Sequence, residues 1–282
     1  LICDRENEIK SFVPKEYWSL VAKLIDGKSK KTFDAKFYGT TGEKIEINNE
    51  QSMNELLTKL EGADYTVNKI KKGEKRRNSP YPFTTSSLQQ DAYKKLGFTT
   101  KKTMMLAQQL YEGVDIKGEG TVGLVTYIRT DSIRISDDAK KEASEYISEK
   151  FGSKYVATEQ KSQKSGKKVQ DAHEAIRPSS IYREPDSIKD SLEKDQYKLY
   201  KLIWERFAAS QMQPAVYDTV TTDIEAAGYL FRATGSILKF DGFLHIYMDS
   251  KEDKEEKGEF EDVNLPELTE GQMVKLKKLD SK

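Results

Sequence analysis

The 282-residue chain is nearly free of cysteine: Cys3 is the single one, which excludes an internal disulfide framework and a cysteine-rich zinc site. Histidine is almost as scarce, with only His173 and His245. No apolar run approaches the roughly 18 residues a membrane span needs, and no signal-peptide pattern opens the chain. No membrane partner is therefore expected. Charge of one sign is not in excess either, because 47 Lys and Arg balance 47 Asp and Glu, so total charge carries no pointer to nucleic acid. The distribution is less even. Residues 76–214 hold 24 basic and 19 acidic side chains, against 14 and 13 in residues 1–75 and 9 and 15 in residues 215–282. The middle is the basic part.

A hydrophobic content of 36% is enough for a core, and the length suits two modest domains. Residues 17–25 place Trp18, Leu20, Ala22 and Leu24 at period two, and Phe33, Ala35 and Phe37 repeat the pattern. Ile45 with Ile47, and Tyr65 with Val67, continue it. Near the other end Tyr229, Phe231 and Ala233 alternate, as do Leu244, Ile246 and Met248. Both ends of the chain read as strands.

Between them the period turns helical. Ser86 and Gln89 have capping-box spacing ahead of Leu88, Ala92 and Leu96, with a stop at Gly97. A second helix from Lys101 sets Met104, Ala107, Gln108 and Tyr111 along one side and stops at Gly113. The pair makes a helix-turn-helix candidate. A third helix is expected from Ser136, with Ala139, Ala143, Tyr146 and Ile147 inward, and a fourth over residues 196–211. The predicted class is α+β: a discontinuous β-rich domain, residues 1–79 and 214–282, interrupted by a mainly helical domain, residues 80–213. The Lys-rich run at 161–168 and the mixed-charge run at 251–259 read as mobile.

Tyr127 lies in Gly123-Leu-Val-Thr-Tyr-Ile-Arg-Thr-Asp-Ser132. If residues 122–131 are extended, Tyr127, Arg129 and Asp131 share a face. Making a phenolate from a phenol of pKa near 10 costs about 4 kcal/mol at neutral pH unless something stabilises the anion. Arg129 can do so, and can grip a phosphate with two parallel hydrogen bonds. Asp131 can orient Arg129 or take a proton, though an ordinary strand ion pair explains the two equally well. The run of six cations from Lys69 to Arg77 either lines a DNA path or is a solvated strand end. Gln89, Gln90 and the hydroxyls of residues 84–87 sit at a helix start suited to a phosphate, and capping alone also accounts for them. The glycine-rich stretch 113–120 suggests flexibility only, and His245 a structural role.

With this run the sequence resembles the type IA DNA topoisomerases. The resemblance spans nearly the whole chain: Leu1-Ile-Cys-Asp-Arg-Glu6, Phe12-Val-Pro-Lys-Glu-Tyr-Trp18, Pro82-Phe-Thr-Thr-Ser-Ser-Leu-Gln-Gln90, Leu96-Gly-Phe98, Lys101-Lys-Thr-Met-Met105, Tyr127-Ile-Arg-Thr-Asp-Ser132 and Ala172-His-Glu-Ala-Ile-Arg-Pro178. It implies that Tyr127 cuts one DNA strand and holds it as a 5′-phosphotyrosine, with Arg129 positioning the scissile phosphate. It also implies that His173, accompanied by Glu174 and Arg177, contacts the phosphate region. Asp131, Ser132, Gln89 and Gln90 would help hold single-stranded DNA.

The β-rich domain would then be the family's arch. The resemblance further implies Mg2+, whose ligands belong to a Toprim domain absent from this sequence, and a cytoplasmic setting. A chain that begins at Leu1 is thus expected to be a piece of a longer enzyme, carrying half of its site and inactive alone for relaxation. Two other classes remain open: a non-catalytic DNA-binding module on the helix-turn-helix, and a purely structural arch.

Overall fold

The computed structural model describes residues 1–158, 173–248 and 264–282; the runs at 161–168 and 251–259, expected to be mobile, lie outside these, as does Ala172. The elements in chain order begin α1 (Ile2–Lys10), β1 (Leu20–Asp26), β2 (Thr32–Gly39), α2 (Glu50–Leu60) and β3 (Tyr65–Arg77). Then come α3 (Thr85–Leu96), α4 (Thr100–Glu112), β4 (Val114–Ile116), β5 (Gly120–Val122), α5 (Asp137–Phe151) and α6 (Lys194–Ser210). β6 (Ala215–Ala226), β7 (Tyr229–Phe240) and β8 (Met273–Ser281) complete the described fold. The α+β class expected from the sequence is the one found.

Two compact units divide the chain: one gathers Leu1–Glu74, Asp218–Ile237 and the C-terminal strand, the other Lys75–Tyr217 and the stretch from Leu238. In the first, strands from both ends of the chain close a barrel in the order β1-β2-β7-β6-β3-β8. Closure leaves no open edge, which is why neither terminal set of strands has to form a sheet by itself. The alternation read in the sequence is the barrel's interior: Leu20, Ala22 and Leu24, Phe33 and Ala35, Tyr65 and Val67, Phe231 and Ala233 are all buried.

The β reading of the chain's first part needs correction. Residues 50–60 are a helix, α2, whose Met53, Leu56 and Leu60 enter the barrel core and whose N-terminus is capped by Asn49 accepting from the Ser52 N–H. Spacings of three and four residues, not two, govern that stretch. Residues 2–10 form a further helix, α1, with no buried residue.

Asp26 closes the turn between β1 and β2. It is buried, and its carboxylate accepts from the Ser29 hydroxyl at 2.5 Å, the Ser29 N–H at 2.8 Å, the Lys28 N–H at 3.1 Å and the Gln272 amide at 2.6 Å. These bonds, the Ser29 hydroxyl foremost, hold its pKa at about 2, down from an ordinary 3.8. A depressed carboxylate pKa contributes stability that is complete above the unfolded value and lost as pH falls through the folded one. Barrel stability should therefore decline between about pH 4 and pH 2, and Asp26→Asn should lower Tm at pH 7 while flattening that decline. Melting curves across this range check it; parallel decline in both proteins would rule the linkage out.

The second unit is built around α6, buried on nearly every side through Leu199, Tyr200, Leu202, Ile203, Trp204, Phe207, Ala208 and Ala209. α3 and α4 pack on it. Caps lie close to where the sequence puts them. Ser136 caps α5, Gly97 ends α3 in the left-handed region at φ 68°, and Gly113 follows α4. The box at α3 lies two residues earlier, formed by Thr84 and Ser87 rather than Ser86 and Gln89. The inward face of α4 is Thr103, Leu106, Ala107 and Leu110, so Tyr111 is turned outward instead of into the core.

Two further expectations change. The strand read through Leu244, Ile246 and Met248 is a 3₁₀ turn over Gly242–His245. Gly242, at φ 50°, lies where a Cβ would stand 2.5 Å from the carbonyl oxygens of Gln213 and Pro214, and this close passage bends the chain out of any extended path. The glycine-rich stretch 113–120 is not merely a flexible joint, since β4 and β5 pair there as a hairpin.

Candidate active site

The β4–β5 hairpin delivers the chain to Gly123, where a Cβ would stand 2.9 Å from the backbone oxygen of Tyr111. Glycine allows this close approach. The next residue fastens it: the Leu124 N–H donates to the Leu110 carbonyl at 2.7 Å, satisfying a group that the last turn of α4 leaves open.

From here the expected strand does not form. Beyond Val122 the segment makes one isolated bridge, Val125 to Pro178, and Pro178 has no N–H to extend a ladder. The alternation of faces nonetheless survives, with Tyr127, Arg129 and Asp131 exposed and Ile128, Thr130 and Ser132 buried.

Two threonines substitute for a partner strand. The Thr85 hydroxyl donates to the carbonyls of Ile128 at 2.7 Å and Thr130 at 3.1 Å and accepts from the Thr130 N–H at 2.9 Å. The Thr85 N–H also donates to the Thr130 carbonyl. On the other side the Thr126 hydroxyl donates to the Ala175 carbonyl at 2.7 Å and accepts from the Arg177 N–H at 3.0 Å, while the Thr126 N–H donates to the Arg177 carbonyl at 3.0 Å. One threonine ties the Tyr127 segment to the start of α3, the other to the segment of His173. Thr85→Val would strand the Thr130 N–H, and a loss of about 1–3 kcal/mol in unfolding free energy is expected. Thr85→Ser should keep most of it. Denaturant titration decides this, and a valine variant as stable as the parent would disprove the clamp.

Tyr127 is 38% exposed, its ring set between two others. His173 lies at 5.0 Å between centroids with planes tilted 33°, and Tyr111 meets it edge-on at 5.7 Å and 69°. The structure thus brings Tyr127 and His173 together as the sequence suggests. Arg129, two residues beyond Tyr127, is exposed and makes no ion pair or side-chain hydrogen bond to any described residue. The pairing of Asp131 with Arg129 that the sequence allows is not formed.

Arg177 is differently placed. Its guanidinium is engaged by Glu174, at 2.7 and 2.8 Å, and by the Pro178 carbonyl at 3.0 Å. Ser132 faces inward, its hydroxyl accepting from the Arg134 N–H. Gln89 is half-buried and Gln90 exposed on α3, a turn beyond Thr85. Sequence reasoning missed Thr85 and Thr126 as clamps and Tyr111 as a neighbour of Tyr127. The one available signal for Tyr111 was its place in the last turn before a glycine.

Chemically, the arrangement brings a phenol and an imidazole together, with a guanidinium that no described residue engages two residues further along the segment, which suits attack on an anionic phosphorus centre. Among the described residues no three His, Cys, Asp or Glu side chains gather into a group able to hold a metal ion. The described residues thus offer no donor set that fits Mg2+. Among the described residues no helix is long and apolar enough to cross a membrane.

The DNA topoisomerase family matches residues 1–282, and the chain belongs to that family. Its type IA branch is indicated by similarity to full-length topoisomerase I from Thermotoga maritima, with 36% sequence identity and a TM-score of 0.75. That match covers all of this chain and 43% of the other, so the chain spans less than half the length of this relative.

Proposed function

We propose that this chain supplies the nucleophile half of a type IA topoisomerase site, which cuts and rejoins one DNA strand so that another can pass. The Tyr127 oxygen bonds to phosphorus, the bond from phosphorus to the 3′ oxygen breaks, and that oxygen leaves as a 3′-hydroxyl. The 5′-phosphotyrosine conserves the bond energy. Attack by the same hydroxyl reverses the step and releases the phenol.

The observation that carries this reading is the exposed Tyr127 phenol on a segment clamped from both sides, with Arg129 exposed two residues further along it. Arg129 holds the phosphate and balances charge on its oxygens. His173 and Asp131 border the phosphate, while Gln89 and Gln90 on α3 belong to the surface that orders single-stranded DNA, supported from beneath by the inward-facing Ser132 and by Arg177, held by Glu174. The division into an arch, residues 1–79 and 214–282, and a tyrosine-bearing domain, residues 80–213, is part of the proposal. So are a requirement for Mg2+ held by a Toprim domain elsewhere in the complete enzyme, a cytoplasmic location and relaxation of negative supercoils.

The test is to trap labelled single-stranded DNA on the complete enzyme with denaturant and map the modified residue. Tyr127 should carry the label through its phenolic oxygen. A label on any other side chain refutes the assignment, and abundant adduct from the 282-residue chain alone refutes its dependence on a second half.

A further inference from the structure

Tyr111 is the one aromatic neighbour of Tyr127, among the described contacts, that the phosphate chemistry leaves without a task. Its ring meets Tyr127 edge-on at 5.7 Å, on a nucleophile whose other described ring neighbour is His173 at 5.0 Å. Its backbone is tied to the same segment, since its carbonyl lies where a Cβ of Gly123 would press at 2.9 Å and the preceding carbonyl, of Leu110, accepts from Leu124. Tyr111 therefore moves with the tyrosine segment. It is 38% exposed, too open to be explained as core packing.

We infer that Tyr111 is a positioning residue: it restricts rotation of the Tyr127 ring and keeps the phenolic oxygen on the line of attack. This rests on the reading of Tyr127 as nucleophile. The physical basis is that a tyrosine side chain has few free torsions, and an exposed ring in contact with one neighbour still swings. Contact with rings at a face and at an edge removes most of that freedom, and pre-set orientation is worth rate. An edge-on pair needs the ring of Tyr111 and not its hydroxyl, so Phe should serve and Leu should not.

In the complete enzyme, Tyr111→Leu should slow single-turnover cleavage at saturating DNA roughly five- to tenfold, the scale of one aromatic pair, with oligonucleotide Kd and Tm unchanged. Tyr111→Phe should restore the rate. A second readout uses the 282-residue chain without DNA, carrying ring-labelled tyrosine. The Tyr127 resonance, assigned by its loss in Tyr127→Phe, should shift and sharpen in Tyr111→Leu and stay in place in Tyr111→Phe.

A normal cleavage rate in Tyr111→Leu, in an enzyme whose Tyr127→Phe form makes no adduct, overturns the inference while leaving the nucleophile intact. Weaker DNA binding with an unchanged saturated rate also overturns it, making Tyr111 a DNA contact. Adduct surviving in Tyr127→Phe overturns the nucleophile reading, and this inference with it.

Discussion

Replacing Tyr127 by Phe in the complete enzyme should abolish the covalent DNA adduct and lower strand cleavage by a factor on the order of 10⁴ or more. The substitution removes one oxygen and leaves the ring. Contacts with His173 and Tyr111 are ring contacts, so they persist, and the backbone clamps at Thr85 and Thr126 do not involve this side chain. Folding and DNA affinity should accordingly match the parent, which separates lost chemistry from lost structure. The measurement is adduct yield after denaturant quench beside a melting curve and a binding isotherm. Relaxation activity that survives the change would end the case for Tyr127.

Arg129→Ala is expected to be the next most costly change, slowing cleavage by about 10²–10³, the usual penalty for removing one preorganised donor from a developing oxyanion. No described residue pairs with this guanidinium, so its loss should alter stability by no more than about 0.5 kcal/mol. Lysine keeps the charge but not the two-pronged geometry and should recover only part of the rate. Quench-flow cleavage at saturating DNA, with Tm as control, distinguishes this from Arg177, whose guanidinium is committed to Glu174 and the Pro178 carbonyl. An Arg129→Ala enzyme that cleaves at the parental rate would assign charge stabilisation to another group.

Much of the fold could be read before any coordinates because its signals are local. Strand alternation at Leu20, Ala22 and Leu24 and the caps at Ser136 and Gly97 each depend on a few neighbouring residues. What failed was either short or non-local. α2 offers Met53, Leu56 and Leu60 between strand signals, too brief a period to stand out. α4 was read in the wrong phase, and only packing against α6 selects Leu106 and Leu110 over Tyr111.

At the site, residues 127–132 kept a period of two without being a strand. Burial alternates there because Thr85, 43 and 45 residues away in sequence, holds the carbonyls that a ladder would have held. Nothing in a linear pattern marks Thr85 for that duty, as its place at a helix start already explains a threonine. Tyr127 and Arg129 stand out through the resemblance of their motif, whereas composition does not single out one of 15 tyrosines.

The barrel carries a consequence for how the protein is made. β1 pairs on one side with β8, at the far end of the chain, down to mutual hydrogen bonds between Ser19 and Lys282. During synthesis β1 emerges well before its partner β8, so the ring cannot shut until β8 has followed it off the ribosome. The stretch Lys75–Tyr217, which makes up most of the helical unit, lies between the two strands in sequence and has time to form while β1 still waits with one edge bare. For that interval chaperones, or the partly closed sheet itself, must shield an edge that the finished molecule never shows.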